Sequence, residues 1–210
     1  MKRILCFGDS NTYGYIPASD HIRYDDKTRW TRLISKRLKK FEIIEEGLNS
    51  RTILSDDPRP GREGRSGYQY LLPCLESHDP IDYCIVMLGT NECKIRYEKS
   101  AVEIGKMFLE FILTPILTRQ FYNAPNPKVI IVCPPRVRGK LAAAAFENKY
   151  DEQSEQKSIQ LEKIFMEIAE KNNCKFVSAL DLPVGGDGVH LTKQGHRVLA
   201  ERLVAEILGK

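Results

Sequence analysis

The 210-residue chain has no stretch near the ~20 consecutive apolar residues that a membrane span needs. Met1-Lys2-Arg3 has the charge of a secretory leader, but only Ile4 to Phe7 follow before Gly8-Asp9. That run is shorter than the ~7–15 apolar residues of a leader and precedes no small-residue cleavage site, so a cytoplasmic product is expected. The 6 cysteines include no C-x-x-C pair and form no Cys/His cluster in the sequence, which argues against a zinc site and against a disulfide framework. Cys6, Cys84 and Cys133 fall within apolar runs and Cys74, Cys93 and Cys174 are scattered, the pattern of thiols used as small hydrophobes. A basic patch is missing too. The net charge is only +4, and Asp and Glu are interleaved with Lys and Arg nearly throughout, which speaks against a nucleic-acid partner. With no internal repeat and no long Pro/Gly/Ser linker, residues 1–210 are expected to form one domain; 42% hydrophobic and 29% charged residues fit an ordinary globular protein.

What is present is an alternation of strand-like and helix-like segments. Candidate strands are Arg3–Phe7, Phe41–Glu45, Tyr83–Leu88, Lys128–Cys133 and Lys175–Ala179. Several are nearly continuous apolar runs, as expected for strands buried on both faces of a parallel sheet. Between them, Trp30, Leu33, Ile34, Leu38 and Phe41 recur at helical spacing. Ser100 and Glu103 form a capping box ahead of Ile104, Phe108, Phe111 and Ile112, with Pro115 expected to kink or end that helix. Leu161, Ile164, Phe165, Ile168 and Ala169 stripe another helix, and a last one runs from about Thr192 to Gly209. Strands joined by helices imply right-handed crossovers and an α/β fold covered on both faces. Two long loops, Asp56 to Gly67 with Pro58, Pro60, Arg59, Arg62 and Arg65, and Pro134 to about Gln153, are placed to wall a site or to make subunit contacts.

Chemistry concentrates at the strand ends. Gly8-Asp9-Ser10-Asn11 terminates the first strand abruptly and delivers the Ser10 hydroxyl to the sheet edge. Near the other terminus, Asp187-Gly188-Val189-His190 precedes the last helix. If the fold carries that loop over Ser10, His190 can take the hydroxyl proton as general base while Asp187 fixes its tautomer. Acyl transfer also needs donors aimed at a developing oxyanion. Gly89-Thr90-Asn91-Glu92 after the third strand offers the Asn91 amide, and Gly47-Leu48-Asn49-Ser50-Arg51-Thr52 after the second offers a backbone N–H.

These four segments, in this order and spacing, resemble the SGNH (GDSL-like) hydrolase superfamily over essentially the whole chain, and in particular the bacterial arylesterase, acyltransferase and perhydrolase subgroup. The resemblance implies a flavodoxin-like three-layer α/β/α sandwich on five parallel strands, needing no cofactor; no metal is expected, on the cysteine and histidine spacing above. It implies a small-molecule ester as substrate and a homo-oligomer in which the Asp56–Gly67 loop helps close a neighbour's mouth. Ser10 matches the nucleophile and its N–H the first oxyanion donor, Asn91 the side-chain donor, and Asp187 and His190 the acid and base. Three positions depart from the pattern. Aligning on Thr52 puts Ser50 where a glycine N–H is usual, with Gly47 as the other assignment. Asn11 replaces the Leu of the nominal motif, and Glu92 replaces the usual Asp, for which a structural role is expected.

Other residues receive lesser expectations. Asp9 ties the Ser10 turn through backbone bonds. Tyr13 and Trp30 line an acyl pocket or, for Trp30 on its helical face, enter the core. Arg51 is a structural pairing partner, His196 sits on a helix surface, and His21 and His78 have no role. The same site residues would serve a carbohydrate O-deacetylase. A non-catalytic binding module on a flavodoxin-like fold is the alternative from another class. Flavin is disfavoured because no Ser/Thr-rich phosphate loop follows the first strand.

Overall fold

The computed structural model describes residues 1–57, 59–118 and 125–209. Pro58, one of the two prolines of the first long loop, lies outside the described residues. In chain order the elements are β1 (Lys2–Gly8), α1 (Ser10–Tyr13), α2 (Trp30–Arg37), β2 (Phe41–Gly47), α3 (Gly67–Ser77), β3 (Tyr83–Met87), α4 (Ala101–Phe108), α5 (Thr114–Thr118), β4 (Lys128–Cys133), α6 (Gly139–Ala145), α7 (Glu152–Lys171), β5 (Lys175–Ser178) and α8 (Lys193–Leu208). A 3-10 turn, Ile95–Tyr97, precedes α4.

The five strands are all parallel, in the order β2-β1-β3-β4-β5. The sheet is therefore the five-stranded parallel one expected, with strand ends within two residues of the expected ones. Alternate side chains of each strand enter two separate cores. Leu5 and Phe7 of β1 join Val86, Ile131, Phe108, Phe165 and Leu161 beneath α3, α4 and α7. Ile4 and Cys6 join Ile85, Ile130, Trp30, Ile34, Leu199 and Leu203 beneath α2 and α8. Both faces are covered, which is why the strand sequences do not alternate between apolar and polar. Each fully buried side chain of this size contributes ~1.5–3 kcal/mol against exposure, so the two helical layers are held to the sheet by burial.

Helix boundaries show where local chemistry was readable. Ser100 Oγ accepts from the Glu103 N–H at 3.2 Å, and Glu103 Oε2 accepts from the Ser100 N–H at 2.8 Å, closing the capping box ahead of α4. Pro115 does not end that helix. Leu109–Leu113 widens into a π turn and the chain continues helically through α5, so the lost proline N–H is absorbed by the wider turn. The loop expected over Pro134 to Gln153 contains α6, built on its alanine run, and α7 begins within its last residues. All six cysteines are thiols, five of them buried. No helix among the described residues is long and apolar enough to cross a membrane.

Candidate active site

Three adjacent strands, β2, β1 and β3, end side by side. The turns that follow them carry Ser50, Ser10 and Asn91. Gly8 closes β1 where a Cβ would lie 2.7 Å from the Met87 carbonyl and 2.1 Å from Thr12 Oγ1, so only glycine lets the chain turn there against β3. Asp9 then caps α1, its Oδ1 accepting from the Asn11 N–H at 2.9 Å as expected, and Ser10 opens that short helix at the floor of a cleft.

Asp187 and His190 come from farther away, following β5 on the other side of β4. Asn11 holds their loop. Its Nδ2 donates to the Val189 carbonyl at 3.3 Å and its Oδ1 accepts from the Leu191 N–H at 2.9 Å, gripping the backbone on both sides of His190. The Ala18 N–H donates to Asp187 Oδ2 at 3.0 Å from the Ser10 side. Gly188 (φ 71°) makes the turn between them, where a Cβ would lie 2.8 Å from the Arg138 carbonyl.

The result is a hydrogen-bonded relay. His190 Nε2 is 2.8 Å from Ser10 Oγ, and His190 Nδ1 is 2.7 Å from Asp187 Oδ2. Burial raises the Asp187 pKa, but the His190 ring and the Val189 and His190 N–H groups outweigh it and bring it to about 2. An ionised carboxylate only accepts, so Nδ1 carries the ring proton and Nε2 presents its lone pair to Ser10. The Tyr15 ring stacks on the imidazole at 4.4 Å between centroids, and Phe146 meets it edge-on at 6.0 Å.

Around Ser10 lies a cleft of about 470 Å³, within the range of small-ligand sites. Ser50 and Asn91 both line it, and Gly47 is packed instead against the backbone of Thr12 and Tyr13. Ser50 has a left-handed backbone, φ 67°. The Asn91 Nδ2 donates to the Arg51 carbonyl at 2.9 Å, and Lys94 Nζ donates to Asn91 Oδ1 at 2.6 Å. Both long loops wall the cleft, the first through Arg59 and Arg62 and the second through Ala145, Phe146, Lys149 and Tyr150.

Several expectations need correction. Of the two readings of Trp30 the core one, the one favoured, holds: it is fully buried, its indole N–H donating to the Asn11 carbonyl at 3.1 Å, and it lines no part of the cleft. Tyr13 does not line it either; its ring lies under the Arg23 guanidinium, and Tyr15 faces the cleft instead. His21, given no role, is at the rim. His196 is not on the surface but fully buried, accepting the Trp30 N–H at Nδ1 (3.3 Å); burial, then the positive charge of neighbours, lowers its pKa to about 3. Arg51 is the structural partner expected: Nη1 donates to the Gly8 and Glu46 carbonyls while its guanidinium lies 4.3 Å from the Phe7 ring centroid. Glu92 is likewise structural, accepting the Ile53 N–H and tying the third-strand turn to the second.

Glu46, Cys74 and His78, distant or uninformative in sequence, converge with ligand atoms within 4.8 Å of one another. None lines the cleft, and the Arg51 guanidinium already brings positive charge to them. Sequence reasoning missed Asn11, Tyr15 and Lys94. For Lys94 a faint signal existed, since three residues after Asn91 is the spacing at which one turn folds a side chain back on its neighbour.

The sequence profile of the GDSL-like lipase/acylhydrolase family matches residues 6–198. A search of the curated proteins by sequence finds no match. Among solved structures, an aryl esterase of M. smegmatis is 33% identical with a TM-score of 0.86, over 100% of this chain and 99% of that one. A carbohydrate acetylesterase from Sinorhizobium meliloti is 32% identical with a TM-score of 0.86 over the same shares. A second carbohydrate acetylesterase family member from that organism is 28% identical with a TM-score of 0.85, over 100% of both chains. With the family profile spanning nearly its whole length, the chain belongs to the GDSL-like lipase/acylhydrolase family.

Proposed function

We propose that the protein is a serine esterase that cleaves short-chain carboxylic esters through an acyl-enzyme on Ser10. The observation that carries this reading is the relay Ser10 Oγ–His190 Nε2–Nδ1–Asp187 Oδ2, at 2.8 and 2.7 Å, on the floor of the cleft. His190 takes the Ser10 proton as Oγ attacks the ester carbonyl, and Asp187 stabilises the imidazolium that forms. The oxyanion is met by the Ser10 N–H, the Ser50 N–H and the free N–H of the Asn91 amide. His190 then protonates the leaving alcohol. In the second step His190 takes a proton from water, or from another alcohol, whose oxygen attacks the acyl carbonyl; His190 then returns the proton to Ser10 Oγ as the C–O bond to the serine breaks.

Ser10→Ala is expected to abolish p-nitrophenyl acetate hydrolysis while leaving thermal unfolding near that of the wild type. Retained hydrolysis would overturn the reading. Failure of a serine-directed phosphonate to label Ser10 would favour the non-catalytic module instead.

A second reading, carbohydrate O-deacetylation by the same residues, draws support from the polar rim of the cleft. Asp20, Asn49, Arg59, Arg62 and Lys149 suit a hydroxyl-rich alcohol, and the similarity to carbohydrate acetylesterases points the same way. Comparing kcat/KM on acetylated xylose, aryl acetates and longer p-nitrophenyl acyl chains separates the two.

A further inference from the structure

Lys94 is a buried ammonium, 8% exposed, whose head has no ion pair among the described residues. Glu92 and Asp57 act on it only from beyond ion-pair distance, and burying a charge without a direct opposite partner is costly. Burial, then the charge of Arg96, lowers its pKa to about 8. Its Nζ donates to Asn91 Oδ1 at 2.6 Å and lies 5.7 Å from the Tyr150 ring centroid. The backbone brings it there: the Lys94 N–H donates to the Asn91 carbonyl at 3.2 Å, closing one tight turn between them.

We infer that Lys94 is a positioning residue that fixes the face of the Asn91 amide and leaves one N–H for the oxyanion. An ammonium only donates and a backbone carbonyl only accepts. With Lys94 on Oδ1 and the Arg51 carbonyl on Nδ2, the amide has one permitted orientation. One of its two N–H bonds is used on Arg51, and the other remains for the cleft that Asn91 lines. Without Lys94, Oδ1 loses its donor and the amide is held at one end only. The ammonium also withdraws electron density through Oδ1, which strengthens the remaining N–H as a donor to a developing anion.

This rests on Asn91 being an oxyanion donor, and the experiment separates the two claims. We would measure kcat and KM on p-nitrophenyl acetate for the wild type, Lys94→Met, Asn91→Ala and the double variant, with circular dichroism and thermal unfolding as folding controls. Lys94→Met is expected to lower kcat about tenfold or more with KM within twofold. The double variant is expected to match Asn91→Ala alone, because Lys94 acts only through Asn91. Losses that multiply in the double variant would overturn the inference, as would an unchanged kcat in Lys94→Met. A raised KM at unchanged kcat would overturn it in favour of direct contact between Lys94, which also lines the cleft, and the substrate. If Lys94→Met does not fold, Lys94→Gln replaces it in the same cycle, a shorter side chain that puts no charge on Oδ1; there a kcat loss that vanishes in the Asn91→Ala background supports positioning, and a loss that multiplies, or an unchanged kcat, overturns it. An Asn91→Ala loss below threefold would instead remove the oxyanion reading itself.

Discussion

Ser50 holds a backbone conformation, φ 67°, in which a side chain costs ~1–2 kcal/mol that glycine does not incur. The left-handed turn is what aims the second-strand segment at the cleft, and it explains why glycine suits this position wherever only the N–H is used. Ser50→Gly recovers that cost less the ~0.5–1 kcal/mol of backbone entropy that glycine loses on folding. The expected result is a stabilisation of about 0.5–1 kcal/mol, a rise in Tm of about 1–4 °C, with kcat within twofold of the wild type. A large fall in kcat would mean that the Ser50 side chain, not its N–H, serves the reaction. Asn91 differs in kind, because its donor is the side chain itself. Asn91→Ala should cost ~10²–10³-fold in kcat, as removal of one preorganised oxyanion donor does.

At the scale of elements, the segment between β5 and α8 matters most, since it crosses β4 to bring His190 to Ser10. Asn11 grips it with both ends of one buried amide. Asn11→Asp keeps the acceptor for the Leu191 N–H but sets a carboxylate against the Val189 carbonyl, and Asn11→Ala strands both backbone groups at ~1–3 kcal/mol each. Both variants should unfold at lower urea concentration and lose kcat more than they raise KM, because His190 is displaced while the cleft walls remain. Wild-type kcat in both would show that Ala18 and Gly188 hold the loop unaided. The four strand-end segments were legible because each carries its chemistry in a contiguous motif beside an apolar run. Asn11 was not: its partners are about 180 residues away, and no local pattern reports which backbone groups a side-chain amide will meet. α3 was missed because Gly67 and the internal Pro73 break the helical pattern even though Leu71, Cys74 and Leu75 face the core. His196 looked exposed because a histidine on an amphipathic helix reads as polar, whereas here α2 packs over it and the Trp30 N–H satisfies one ring nitrogen.

Across the whole molecule, the turn beyond β3 is bonded to the segment beyond β2 through a carboxyl that is 2% exposed, and this sets a dependence of stability on pH. Burial raises the Glu92 pKa to about 7, against an ordinary value of 4.5, with the Ile53 N–H opposing the shift. Asp9, fully buried beside it, is raised in the same sense. A carboxyl whose pKa is higher in the folded state binds more protons folded than unfolded, so its contribution is fully present below pH 4.5 and is lost as pH rises through 7. Asp187 has the opposite sign: lowered to about 2, its contribution is present above pH 3.8 and is lost as pH falls through 2. Urea unfolding at pH 5, 6, 7 and 8 is therefore expected to show stability falling with pH, by no more than about 3 kcal/mol from Glu92. Glu92→Gln keeps an oxygen for the Ile53 N–H and removes the titration, so its stability should fall more gently over the same range, with Asp9 accounting for the remaining slope. A slope identical to the wild type would show that Glu92 ionises at its ordinary pH and that the contact between the two turns carries no proton linkage.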